Sequence, residues 1–170
     1  MTKAPLYELL ERLETKQGRA RYRRGESVPM KYLSGYKGKD REARIKRIEK
    51  MKALAKSGAP SSVLDNILKD KGKTAKESKW TKAFKKEYGE GGSLEKIAKL
   101  SKISLKVIEE VYARGVQAAR TSGRRPNATP QQWGLARVYA FIMKAKHHIA
   151  PLDHDIDLAE KLGFLKVGKK

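Results

Sequence analysis

All three histidines of the chain, His147, His148 and His154, fall in one short stretch, interleaved with Asp153, Asp155 and Asp157. Imidazoles and carboxylates at that density can bind a divalent cation and support phosphodiester hydrolysis. The run Asp153-His154-Asp155-Ile156-Asp157 also matches the opening of an EF-hand loop, with acids at its first, third and fifth positions. It departs from that loop further on: Leu158 stands where a glycine must turn the chain, and Phe164 where a bidentate Glu belongs. A simpler reading accounts for the same residues. Pro151 breaks the chain, and Asp153 or Asp155 caps a last helix through Leu162, its carboxylate favoured by the helix dipole. The acids are also available to pair with a basic segment of the same or a neighbouring chain. With no cysteine, thiolate nucleophiles, thiolate metal sites and disulfides are excluded. A phosphate-binding loop, a nucleophile elbow and a dinucleotide fingerprint are all missing. The expectation is a protein that is not an enzyme and holds neither metal nor cofactor.

Charge points elsewhere. Lys and Arg number 40 against 19 Asp and Glu, a formal net of +21 over 170 residues, with a pI near 10.1. Such an excess opposes compaction by self-repulsion and is expected to meet a polyanion. Residues 16–52 hold 14 basic and 4 acidic side chains, whereas 151–163 is net acidic. Nothing in the sequence reads as a membrane span or a signal peptide.

The elements that must position these charges are helical, because apolar residues recur at helical spacing and alternating runs are nearly absent. Leu6, Leu9, Leu10 and Leu13 predict a short first helix. Gly18 to Lys39 follows neither period and predicts an extended arm or irregular loop, with Arg19, Arg21, Arg23 and Arg24 flanking Tyr22. Ile45, Ile48, Met51 and Ala55 stripe a basic helix from Asp40 to Ser57, stopped by Gly58 and Pro60. Ser61 or Ser62 is expected to cap the next helix, which carries Val63, Leu64, Ile67 and Leu68. A polar stretch from Lys71 to Ser78 reads as a boundary. The predicted organisation is therefore a basic N-terminal helical arm over 1–72, a compact helical domain over 78–165 and a basic tail over 166–170.

Within the compact part, Trp80, Ala83, Phe84 and Tyr88 give a short helix an aromatic core face, and Ser93 caps the helix after it. Ser93 to Gly115 resembles a helix-turn-helix: Leu94, Ile97 and Ala98 line a first helix, Ile103 fills a turn, and Leu105, Ile108 and Val111 face inward from a second. Its outward positions would be Lys106, Val107, Glu109, Glu110 and Ala113. The acids there oppose phosphate, and no Asn or Gln stands at the helix start to read adenine. Thr129, Pro130 and Gln132 form a capping box for a central helix reaching about Ala145. From Trp133 to Met143 its only charge is Arg137, which must be paired or must snorkel outward. An all-α fold of six or seven short helices follows, packed around Trp133, Val138 and Phe141.

The stretch from Val111 to Phe141 resembles the signature of an uncharacterised family of small basic proteins encoded by tailed phages of cyanobacteria and marine bacteria and by large algal DNA viruses. The pattern falls on Arg114, Gly115, Ala118, Arg125, Pro126, Trp133, Ala136, Arg137, Val138 and Phe141. Tyr32-Leu33-Ser34 and Lys79-Trp80-Thr81-Lys82 are similar to its flanking blocks, so the likeness runs from Tyr32 to Asp157. It implies a viral origin rather than an activity. The function expected is a virion-associated structural protein, a minor capsid or internal protein. Its partners would be packaged DNA, bound mostly without sequence preference, or an anionic capsid-protein surface, in the virion and in host cytoplasm during assembly. Arg19, Arg21, Arg23, Arg24, Arg44, Lys46, Arg47, Arg124 and Arg125 are the residues expected to touch the polyanion. The alternative is a phage-encoded helix-turn-helix DNA-binding regulator using Lys106 and Arg114. A third reading is a metal-dependent nuclease centred on His147, His148 and Asp153. Nothing in the sequence sets an oligomeric state.

Overall fold

The computed structural model describes residues 27–69 and 76–165. The predicted first helix, most of the arm and the basic tail lie outside them. The described residues form an all-α protein with seven α-helices: α1 (Gly38–Lys56), α2 (Ser61–Ile67), α3 (Lys79–Tyr88), α4 (Leu94–Ser101), α5 (Leu105–Thr121), α6 (Pro130–Phe141) and α7 (Ile156–Lys161). The chain divides into two compact units. The first is residues 1–75 with 120–128; the second is 76–119 with 129–170.

The described residues of the first unit, 27–69 and 120–128, share a buried interior. A 3-10 turn, Met30–Tyr32, precedes α1. Val28, Tyr32 and Leu33 are buried with Ile48 and Met51 of α1 and with Leu64 and Leu68 around α2. In the described part of the aperiodic stretch before α1, a tight turn and not a regular element carries the apolar residues inward. The loop 120–128, expected to belong with the compact part downstream, enters this unit instead. The backbone of Gly123 runs against the Tyr32 ring and Ile48, at φ +114°, a left-handed value that favours glycine. A side chain there would meet the Tyr32 ring at 3.0 Å. The expected Ser cap of α2 is absent: Pro60 holds the N-cap position and Ser61 is the first helical residue.

The second unit is built around Phe84, Ile97, Ile108, Val111, Val138, Phe141 and Ile142. Ser78 and Ser93 accept hydrogen bonds from the amides of Thr81 and Lys96 and cap α3 and α4. The capping box of α6 forms as its sequence predicts: the Gln132 amide donates to Thr129 Oγ1 and the Thr129 amide to Gln132 Oε1. Burying one aromatic or aliphatic side chain here contributes about 2 kcal/mol. Three details differ from expectation. Trp133 is only half-buried, and the aromatic centre is Phe84 against Tyr139, ring centroids 4.5 Å apart. Val107 is buried rather than outward. The α-helical part of the central helix stops at Phe141, and a π-helical segment, Ile142–Lys146, carries the chain on while keeping Ile142, Met143 and Ala145 inside.

Candidate functional site

The basic side chains of this protein fall into two populations, those consumed by internal partners and those left at the surface. Arg44 and Arg124 belong to the first. Arg44 lies on α1 one turn before Ile48, on the apolar face, and is fully buried. Its Nε donates to the Tyr32 carbonyl at 2.8 Å and its Nη2 to the Arg124 carbonyl at 3.3 Å, while its guanidinium covers the Tyr36 ring at 4.9 Å. Arg124 is 2% exposed. It donates to the carbonyls of Asp65, 2.7 Å, and Ala128, 2.9 Å. Arg120 grips the Asp65 carboxylate with two bonds, 2.9 and 3.1 Å. Asp65 thus ties α2 to the 120–128 loop through both its side chain and its backbone. Two of the arginines expected to touch a polyanion therefore hold the first unit together, and Arg120 and Asp65, unremarked in the sequence, share that work.

The second unit has a parallel arrangement. Asp155, its carboxylate 1% exposed, accepts two bonds from Arg137, at 2.8 and 2.9 Å, and one from Arg114 at 3.2 Å. Arg114 also bonds both oxygens of Asp157 at 2.8 Å and reaches Glu110 at 2.7 Å. The Arg114 contact holds the Asp157 carboxyl at about 2, well below the ordinary carboxylate range. Of the two expectations for Arg137, pairing or snorkelling outward, the structure shows pairing. Asp155 stands at the N-cap position of α7 but makes no cap bond with its side chain, because its carboxylate is committed to the arginines.

Two members of the histidine–aspartate stretch are held by residues outside it. Lys144 Nζ donates to Asp153 at 2.6 Å, and His147 Nε2 is bonded to the Tyr88 hydroxyl. Burial pushes His154 below its ordinary value, against the opposing pull of Asp153. Among the described residues no three His, Asp or Glu side chains converge as a metal would need.

The surface population is arranged differently. The outer face of α1 presents Lys39, Ala43, Lys46, Lys50 and Ala53, at i, i+4, i+7, i+11 and i+14, all exposed. It lies opposite Arg44, Ile48 and Met51, as the helical period requires. Among the described residues none of those three ammonium groups has a partner. Lys46, one of the residues expected at the polyanion, is on this exposed face. Arg47 is half-buried at the flank of the face, and Arg125 is exposed in the loop beside the buried Arg124. Arg19, Arg21, Arg23 and Arg24 lie outside the described residues. Lys39 and Lys50 were not singled out, although the 3.6-residue period places them with Lys46 and separates all three from Arg44.

The fold is thus that of a basic, all-α protein with arginine-clamped interiors and an uncommitted lysine face. A family model described as a family of unknown function (DUF5824) matches residues 29–159, and the chain belongs to that family. The match takes in the whole stretch from Arg114 to Phe141 on which the sequence resemblance rested. No curated protein and no solved structure matches the chain. No helix among the described residues is long and apolar enough to cross a membrane.

Proposed function

We propose that this chain is a structural protein of a virus particle, a minor capsid or internal protein, that holds packaged duplex DNA by its phosphate backbone. The observation carrying this reading is the outer face of α1. Lys39, Lys46 and Lys50 stand exposed on one side of the helix together with Ala43 and Ala53, with the exposed Glu42 and Glu49 along its flank. At about 1.5 Å rise per residue the face is about 16 Å long. A duplex offers one charge per about 1.7 Å of axis, so several phosphates lie within that span. Lysine ammoniums are mobile point charges suited to phosphate at any sequence, and α1 carries no Asn or Gln to read base edges. The basic residues before Glu26 add charge of the same sign. The family resemblance supplies the viral setting. The helix-turn-helix alternative loses support from the same structure: Val107 packs inward, Glu109 and Glu110 face outward, and Arg114 is taken up by Glu110, Asp155 and Asp157.

The test is the salt dependence of binding to two labelled duplexes of unrelated sequence. Log affinity should fall linearly with log salt, with a slope of about −0.9 per phosphate neutralised and the same slope for both duplexes. Replacing Lys39, Lys46 and Lys50 together by Gln should lower that slope in magnitude by about 2 to 3. A slope near zero for the wild-type chain overturns the reading. One site bound about 10³-fold above random duplex replaces it with the regulator. Quantitative mass spectrometry of purified particles should find many copies that survive a high-salt wash.

A further inference from the structure

The second unit carries a basic face of its own. Some of its cations are committed: Lys85 to Glu77 and Glu90, Lys144 to Asp153, Lys146 to the Ser101 carbonyl, and Arg114 and Arg137 to the acids around Asp155. Helix α3 gathers three of the others. Lys79, Lys82 and Lys86 lie at i, i+3 and i+7 on one outward face, all exposed, with Phe84 buried on the opposite side. Lys79 Nζ rests over the Trp80 ring at 4.7 Å, and Lys82 and Lys86 have no partner among the described residues. Of the acids next to α3 in sequence, Glu77 and Glu90 are already on Lys85, and Glu87 lies one position round the helix from the stripe. Several of the other exposed lysines of this unit stand beside acids. Lys96 and Lys99 share the outer face of α4 with Glu95, and Lys106 shares that of α5 with Glu109 and Glu110. The α3 face is therefore the one with the least opposing charge.

Each unit folds around its own interior, so each brings its own lysine face. Resting on the function proposed above, we infer that α3 carries a second duplex-DNA contact and that the protein is bivalent, bridging two duplex segments. Once one face holds a segment, the other meets neighbouring duplex at high effective concentration, so modest contacts suffice to cross-link densely packed DNA. Neither face needs to read sequence, and a lysine stripe satisfies that condition at any register along the backbone.

The experiment immobilises one duplex on beads, adds the full chain at low salt, and measures capture of a second, fluorescent duplex that cannot bind the beads itself. Two variants accompany the wild type, K79Q/K82Q/K86Q and K39Q/K46Q/K50Q, each checked by circular dichroism for unchanged helix content. The wild type should capture the second duplex. Each variant should still bind a single duplex through its remaining face and should capture the second at least about tenfold less. Wild-type capture by the K79Q/K82Q/K86Q variant would overturn the α3 contact. Binding of one duplex without capture of a second by the wild type would overturn bivalency and leave the proposed function standing. No duplex binding at all by the wild type would overturn both.

Discussion

Asp155 decides what two of the family-signature residues do. Arg114 and Arg137 come from different helices, α5 and α6, and both end on its buried carboxylate. Arginine suits this place because its planar fork can give two parallel bonds to one carboxylate, as Arg137 does. Taking these charges out of water is costly, and the pair breaks even only while every partner is present. Asp155→Asn keeps the shape and removes the charge, leaving Arg137 underneath without a counter-ion. The expected loss is about 3 kcal/mol, read as a lower midpoint in urea unfolding. Asp157→Asn is the control, since that carboxylate is 62% exposed and its pairing with Arg114 is open to solvent; its midpoint should stay near that of the wild type. Equal midpoints for the Asp155 variant and the wild type would show that the buried carboxylate contributes nothing. The same reasoning separates arginine from lysine among the described residues: the clamps of both units are built on arginine, while the exposed faces of α1 and α3 are lysine.

Between elements, the signature glycine acts with a second one. A Cβ on Gly115 would lie 2.8 Å from the Gly134 Cα, and a Cβ on Gly134 would lie 2.8 Å from the Tyr112 ring and 2.9 Å from Val116. Helices α5 and α6 therefore cross backbone to backbone, which brings Arg114 and Arg137, the neighbours in the signature, to a common acid. Gly115→Ala tests this. Helix propensity alone would gain about 1 kcal/mol, but the new methyl meets main chain, which cannot rotate away, and overpacking costs about 1–3 kcal/mol. The variant should be net destabilised in chemical unfolding; a gain in stability would show that the crossing has slack. The elements themselves were largely legible. The capping box at Thr129, Pro130 and Gln132 is determined within a few residues, and the aromatic face of α3 follows from spacing alone. The period also held the position of Arg44, one turn from Ile48 and two from Met51, although its basic character suggested surface. Pairings such as Asp65 with Arg120 and Asp155 with Arg114 join residues dozens of positions apart, and no local pattern encodes them. Nor does the spacing in α6 say that Tyr139 rather than Trp133 turns to Phe84, or that the chain widens to a π turn after Phe141.

At the scale of the whole molecule, a net charge of +21 and two modest interiors must coexist. Among the described residues the buried arginines are matched to a carboxylate or to backbone carbonyls, and most exposed cations are lysines, where repulsion is screened by salt or relieved by a polyanion. The first unit carries the sharper constraint, because it is not contiguous in sequence. Residues 120–128 return to it from beyond α4 and most of α5, bringing Arg120 and Arg124 to Asp65, the Arg124 carbonyl to Arg44, and Gly123 to Tyr32 and Ile48. A fragment of residues 1–75 lacks all of these. It would leave the Arg44 guanidinium buried with one fewer acceptor and the Asp65 carboxylate without its partner, in a chain whose core alone supplies about 3–5 kcal/mol at best. That fragment should show no cooperative urea transition by far-ultraviolet circular dichroism, while the full chain does. Adding residues 120–128 as a separate peptide at high concentration should restore part of the helix signal, because the loop binds only the folded unit. A cooperative transition in the fragment alone, at a midpoint near that of the full chain, would show that the returning loop decorates this unit rather than completes it.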